Sequence, residues 1–156
     1  MGGTLAVWLA AHHPEIAGVV AINAVIDPPA EPFREMLRQL LAEGHTTMPA
    51  VGDDIADPAG HELAYDATPL APLLSLCEAG DGLYPKLADI HCPVIVMNSP
   101  QDHVVPPVSS DILASRVSGP VERVTLERSY HVATLDFDRD VVNVEAAAFA
   151  KRVTGS

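Results

Sequence analysis

Val94-Ile95-Val96-Met97-Asn98-Ser99-Pro100-Gln101-Asp102-His103-Val104-Val105-Pro106 is the stretch that decides the fold. Its apolar run, entered through Pro93, has the length and composition of a parallel strand buried on both faces. Turn-forming residues follow at once, and Asp102 sits among them. Residues 121–126 bring Val121, Val124 and Leu126 between polar residues and predict a second strand. Just past it runs Glu127-Arg128-Ser129-Tyr130-His131-Val132-Ala133-Thr134-Leu135-Asp136. A helix over 107–117, with proline near its start and Gly119-Pro120 after it, lies between the two strands. A strand–helix–strand unit of this kind delivers Asp102 and His131 to the same edge of a parallel sheet. In open α/β sheets that edge, outside the carboxyl ends of the strands, is where chemistry gathers.

The pattern extends in both directions. Residues 4–13 predict a helix, apolar nearly all round and therefore buried, which Pro14 stops. Residues 18–23 predict a short buried strand, bounded by Gly18 and followed by Pro28-Pro29. A helix and then a strand make the second half of a βαβ unit, whose first strand is expected before Met1. Next, Pro32 suits a first helical turn, and Phe33, Met36, Leu37, Leu40 and Leu41 recur at helical spacing up to Gly44. Residues 45–69 read as loop with at most one turn of helix. Leu70, Leu73, Leu74 and Cys77 mark a second helix, ending at Gly80. Helices without strands, set between two strand–helix units, predict a lid. A closing helix over 141–153 carries Val141, Val144, Ala148 and Phe149 on one side. The expected class is therefore α/β, with three C-terminal parallel strands, flanking helices and a small helical cap. The expected division is 1–26 for the first helix and strand, 27–85 for the cap and 86–156 for the C-terminal core.

The 156 residues suffice for one domain, and 48% hydrophobic against 19% charged residues is a globular balance. The net charge of −12 and pI near 4.7 exclude a nucleic-acid-binding role. Acid is concentrated in residues 27–92, where twelve Asp and Glu face only Arg34, Arg38 and Lys86. That bias marks a solvated surface. Cys77 and Cys92 have neither zinc-frame nor disulfide-scaffold spacing, and buried reduced thiols point to the cytoplasm. Residues 4–11 lack the basic flank of a signal peptide and are too short to span a bilayer.

A carboxylate held in a tight turn beside a histidine on a neighbouring loop is the latter part of a nucleophile–histidine–acid triad. On the residues alone, the competing reading is a turn aspartate and an incidental histidine. His12 and His13 are expected to be exposed at a helix end, and His61, His91 and His103 lack metal-ligand spacing. Ser75 and Ser99 lie outside any Gly-x-Ser-x-Gly turn, and Asp136 is assigned to a turn or a helix cap. The apolar stripe from Phe33 to Leu41 is assigned to packing.

Met1-Gly2-Gly3-Thr4-Leu5-Ala6 resembles the residues after the serine of a Gly-x-Ser-x-Gly-Gly nucleophile elbow. Gln101-Asp102-His103-Val104-Val105-Pro106 resembles an acid turn, and Ser129-Tyr130-His131-Val132-Ala133-Thr134-Leu135-Asp136 a Ser-x-His-x-x-x-Leu-Asp histidine segment. With these, the chain resembles the C-terminal portion of bacterial carboxylesterases and monoacylglycerol lipases of the α/β-hydrolase superfamily. The resemblance implies hydrolysis of a small-molecule acyl ester without a cofactor, with Asp102 orienting His131 and His131 moving the proton. It implies that Met1 follows the serine and contributes a backbone N–H to the oxyanion hole. The serine, its strand and the other oxyanion donor would precede Met1, so a truncated, poorly active chain is expected. The alternatives are a non-catalytic binding module, or another reaction of the superfamily such as thioester or carbon–halogen hydrolysis.

Overall fold

The computed structural model describes residues 1–27 and 29–155. Strand β1 (Val19–Ile22), β4 (Val94–Asn98) and β5 (Val121–Thr125) form a parallel sheet in the order β1-β4-β5. The central strand is buried along its whole length, as the unbroken run 94–97 requires. Strand alternation sends Val94 and Val96 to one face and Ile95 and Met97 to the other. The first face packs on Val7, Ala10, Leu87 and Leu113. These come from helix α1 (Gly2–His12), a 3-10 helix over Tyr84–Asp89 and helix α4 (Val108–Arg116). The second face packs on Val142 and Phe149 of helix α5 (Arg139–Thr154). Helices on both faces of a parallel sheet are the expected α/β architecture.

Between β1 and β4 lie α2 (Glu31–Ala42) and α3 (Leu70–Leu83), with a small core of their own around Leu37, Leu70 and Cys77. Arg34 of α2 is buried and forks onto Asp81 of α3 at 2.5 and 2.7 Å, tying the two helices together. Gly80 does not end α3, because it is buried against neighbours and the helix runs on to Leu83. Residues 45–69 depart from the loop expectation. Here β2 (Thr47–Pro49) and β3 (Ala67–Pro69) pair antiparallel, with Met48 opposite Thr68. Pro49 and Pro69 hide this pairing in the sequence, since neither can donate to a ladder.

Helix α1 corrects another expectation. It buries Thr4, Val7 and Ala10 but leaves Leu5, Trp8 and Leu9 exposed at 49%, 38% and 43%. An all-round apolar helix reports its content and not how many of its sides find a partner. No helix among the described residues is long and apolar enough to cross a membrane.

Candidate active site

The carboxyl ends of the three strands converge on one edge. Hydrogen bonds from Asn23 N to Met97 O (3.0 Å) and from Leu126 N to Asn98 O (2.9 Å) carry the ladder right up to it. Beyond β4 the chain turns, and the Asp102 Oδ1 atom accepts from Val104 N at 2.8 Å and Val105 N at 2.7 Å. This fixes the carboxylate by its own turn. The other oxygen, Oδ2, lies 2.9 Å from His131 Nδ1. The Asp102 side chain is 2% exposed and that of His131 28%. A carboxylate only accepts, so Nδ1 carries the proton and Nε2 is left for proton transfer. The two residues singled out by sequence are therefore in direct contact.

The histidine segment is held by three buried side chains. Asp136, fully buried, accepts from the backbone N–H of Tyr130, Phe137, Ala56 and Asp57 at 2.8–2.9 Å. Burial alone would raise its carboxyl, but these four donors outweigh that and hold it below the ordinary range. Asp136 is thus a turn organiser, some way from any triad role. Ser129 Oγ donates to Asp138 and accepts from its N–H, both at 2.9 Å. Asn23, at the tip of β1 with φ of 45°, donates from Nδ2 to His131 O (2.9 Å), Tyr130 O (3.2 Å) and Ser99 Oγ (3.1 Å). Ser99 is fully buried in that network and donates to Tyr130 O at 2.9 Å, a structural position.

Met1 caps α1, accepting from Leu5 N at 3.1 Å. It lines, with His131, a cavity of about 380 Å³ whose other walls include Val25, Thr68, Leu73, Leu76, Val104 and Val105. A deeper apolar pocket of about 100 Å³ shares Val25, Leu73 and Leu76 and reaches Cys77. The helix start, the histidine and an apolar recess thus meet in one place. Apart from His103, which adjoins Asp102, the remaining histidines lie elsewhere: His12, His13, His45, His61 and His91 are exposed on the surface. Among the described residues, no group of three or more His, Cys, Asp or Glu side chains is placed to hold a metal ion.

Two residues of this edge escape a reading of the sequence. Asn23 looks like an ordinary strand end. Asp54 lies in the apparent loop 45–69, yet its Oδ2 accepts from His131 N at 3.0 Å and His103 N at 3.1 Å. Its Oδ1 pairs with the His103 ring at 2.7 Å. Partners 49 and 77 positions away leave no local signal.

No family model matches the chain. It is 39% identical, over 163 aligned residues, to the thermostable monoacylglycerol lipase of Bacillus sp. (strain H-257), covering 99% of this chain and 61% of the relative. A solved structure from work on LipS and LipT, two metagenome-derived lipolytic enzymes, superposes with a TM-score of 0.89 at 34% identity, covering 97% of this chain and 62% of that one. The monoacylglycerol lipase of Paleococcus ferrophilus shares the fold at a TM-score of 0.66 and 18% identity, covering 91% and 63%. The chain therefore has the C-terminal portion of the α/β-hydrolase fold and is a homologue of lipase and esterase α/β-hydrolases. It spans about three fifths of the length of these relatives.

Proposed function

We propose that the chain supplies the acid, the base and much of the acyl-chain wall of a serine carboxylic ester hydrolase acting on a monoacylglycerol or another short- to medium-chain acyl ester. The observation that carries this reading is the 2.9 Å contact of Asp102 with His131 beside an apolar cavity. On this reading the nucleophile belongs to a part of the protein corresponding to the stretch of the relatives that this chain does not span.

The serine hydroxyl attacks the ester carbonyl while His131 Nε2 takes its proton. As the tetrahedral intermediate collapses, the carbon–alkoxy bond breaks, and the same nitrogen returns the proton to the leaving alcohol. Water, activated by His131, then splits the acyl-serine to the carboxylic acid and free serine. Asp102 holds the imidazole tautomer and stabilises the imidazolium in both steps. With a residue joined ahead of it, the Met1 backbone N–H at the start of α1 serves as an oxyanion donor. Residues 27–85 act as the cap, contributing Thr68, Leu73 and Leu76 to the recess. The unpaired cysteines fit a cytoplasmic setting.

The test is a chimera with the N-terminal part of the Bacillus relative, through its nucleophile, placed ahead of Met1. Hydrolysis of p-nitrophenyl esters by the chimera, with none by the 156-residue chain alone, is the expected result. A folded chimera without esterase activity overturns the reading.

A further inference from the structure

We propose that Asp54 is a positioning residue for His131, a brace from the segment between α2 and α3 that fixes the proposed base against the proposed acid. The inference rests on the ester-hydrolase reading for its meaning, and on geometry for its substance. A single oxygen, Oδ2, receives the N–H of His131 itself and the N–H of His103, the residue next to Asp102. The two peptides that must keep their separation for the dyad to form are thus held by one atom. The His103 ring adds a side-chain contact to the arrangement. It pairs with Asp54 Oδ1 at 2.7 Å and meets Tyr130 edge-to-face at 4.5 Å between ring centres.

The attachment is reciprocal. Val132 N donates to Asp54 O at 3.1 Å, while Asp136 returns its carboxylate to Ala56 N and Asp57 N at 2.8 and 2.9 Å. The segment 54–57 and the histidine loop are laced in both directions. His131 is consequently gripped at its N–H by Asp54, at its C=O by Asn23 and at its ring by Asp102. A base held at three points keeps the productive geometry that catalysis needs. Burial of Asp54 would raise its carboxyl, but the donors from His103 and His131 prevail and hold it below the ordinary range. It accepts as a carboxylate at neutral pH.

Nuclear magnetic resonance on the 156-residue chain reads this directly. The His131 amide in the wild type is expected to be protected from solvent exchange, and its hydrogen-bonded Nδ1–H to give a far-downfield signal. Asp54→Asn keeps an oxygen for both backbone donors, so both features survive. Asp54→Ala loses them, as Asp102→Asn loses the ring signal. A sharp, unchanged ring signal in a folded Asp54→Ala overturns the proposal. If that variant does not fold, an unprotected His131 amide in the wild type or loss of the ring signal in Asp54→Asn does the same. In the chimera, Asp54→Ala is expected to lower kcat by about 10²-fold with KM little changed. A chimera without activity but with the expected spectra would defeat the hydrolase reading and leave the brace standing.

Discussion

Asn23 at the tip of β1 holds the peptide of His131, its Nδ2 donating to His131 O at 2.9 Å across 108 positions of sequence. The same amide group reaches Tyr130 O and Ser99 Oγ, while Asn23 Oδ1 accepts from Ser99 N at 2.8 Å. Asparagine tolerates the φ of 45° found here better than other residues with a Cβ. Asn23→Ala orphans these buried partners and adds backbone strain. It is expected to lower stability by about 2–3 kcal/mol in urea denaturation. A midpoint within error of the wild type contradicts the assignment.

The paired glycines at the start of α1 separate cleanly. A Cβ on Gly3 would stand 2.7 Å from Ala24 Cβ and 3.3 Å from Ala24 Cα, while one on Gly2 meets nothing within 4 Å. Gly3 is therefore what lets α1 lie close against the end of β1, and Gly2 is not. Gly3→Ala is expected to cost about 1–3 kcal/mol. Gly2→Ala is expected to be neutral or stabilising by up to about 1 kcal/mol. Thermal unfolding of the two variants distinguishes them, and equal effects contradict the packing account.

Acid weakens the lacing between 54–57 and the histidine loop. Asp54 and Asp136 both titrate below the ordinary aspartate value of 3.8 in the folded chain. The unfolded chain then binds more protons just below that value, so their stabilisation is full above about pH 5 and drains away as pH falls through the folded values. Melting temperature is expected to fall most steeply below pH 3.8. The Asp54→Asn/Asp136→Asn double variant is less stable at neutral pH but falls along a shallower acid slope. An unchanged slope removes these two carboxyls from the account.

Leu76 sits where the larger cavity meets the deeper apolar pocket. In the chimera, Leu76→Trp is expected to block the deeper recess and shift preference to shorter acyl esters. Losing burial of two methylenes at about 0.8 kcal/mol each lowers kcat/KM for the longer ester by about tenfold. Comparing butanoate with decanoate p-nitrophenyl esters measures it. A uniform loss on both substrates argues for misfolding of α3 over a chain-length role.

What the sequence made legible was what is local. The run 94–97 and the turn after it are a strand and its exit in any context, so Asp102 could be found and the parallel sheet foreseen. The helices α2 and α4 announce themselves by apolar spacing and proline or glycine punctuation, whereas α5 is foreseen as a helix but not by its face: Val142 and Phe149 are buried, and Val141 and Val144 of the expected side are exposed at 42% and 65%. What stayed hidden depends on distant partners. Asp54 lies in a stretch rich in Gly, Pro and Asp, and only folding brings His103 and His131 to its carboxylate. The β2–β3 pair is masked by its prolines. The exposed Leu5, Trp8 and Leu9 follow from which sides of α1 are covered, a property of neighbours and not of the helix.

The most direct measurement is kcat of the chimera with Asp102→Asn, His131→Ala and the two combined. If the 2.9 Å contact makes these residues one unit, each single variant loses activity by about 10⁴-fold and the double variant loses little more. Losses that multiply, or a His131→Ala chimera that still hydrolyses esters at the wild-type rate, would contradict the dyad as the seat of proton transfer.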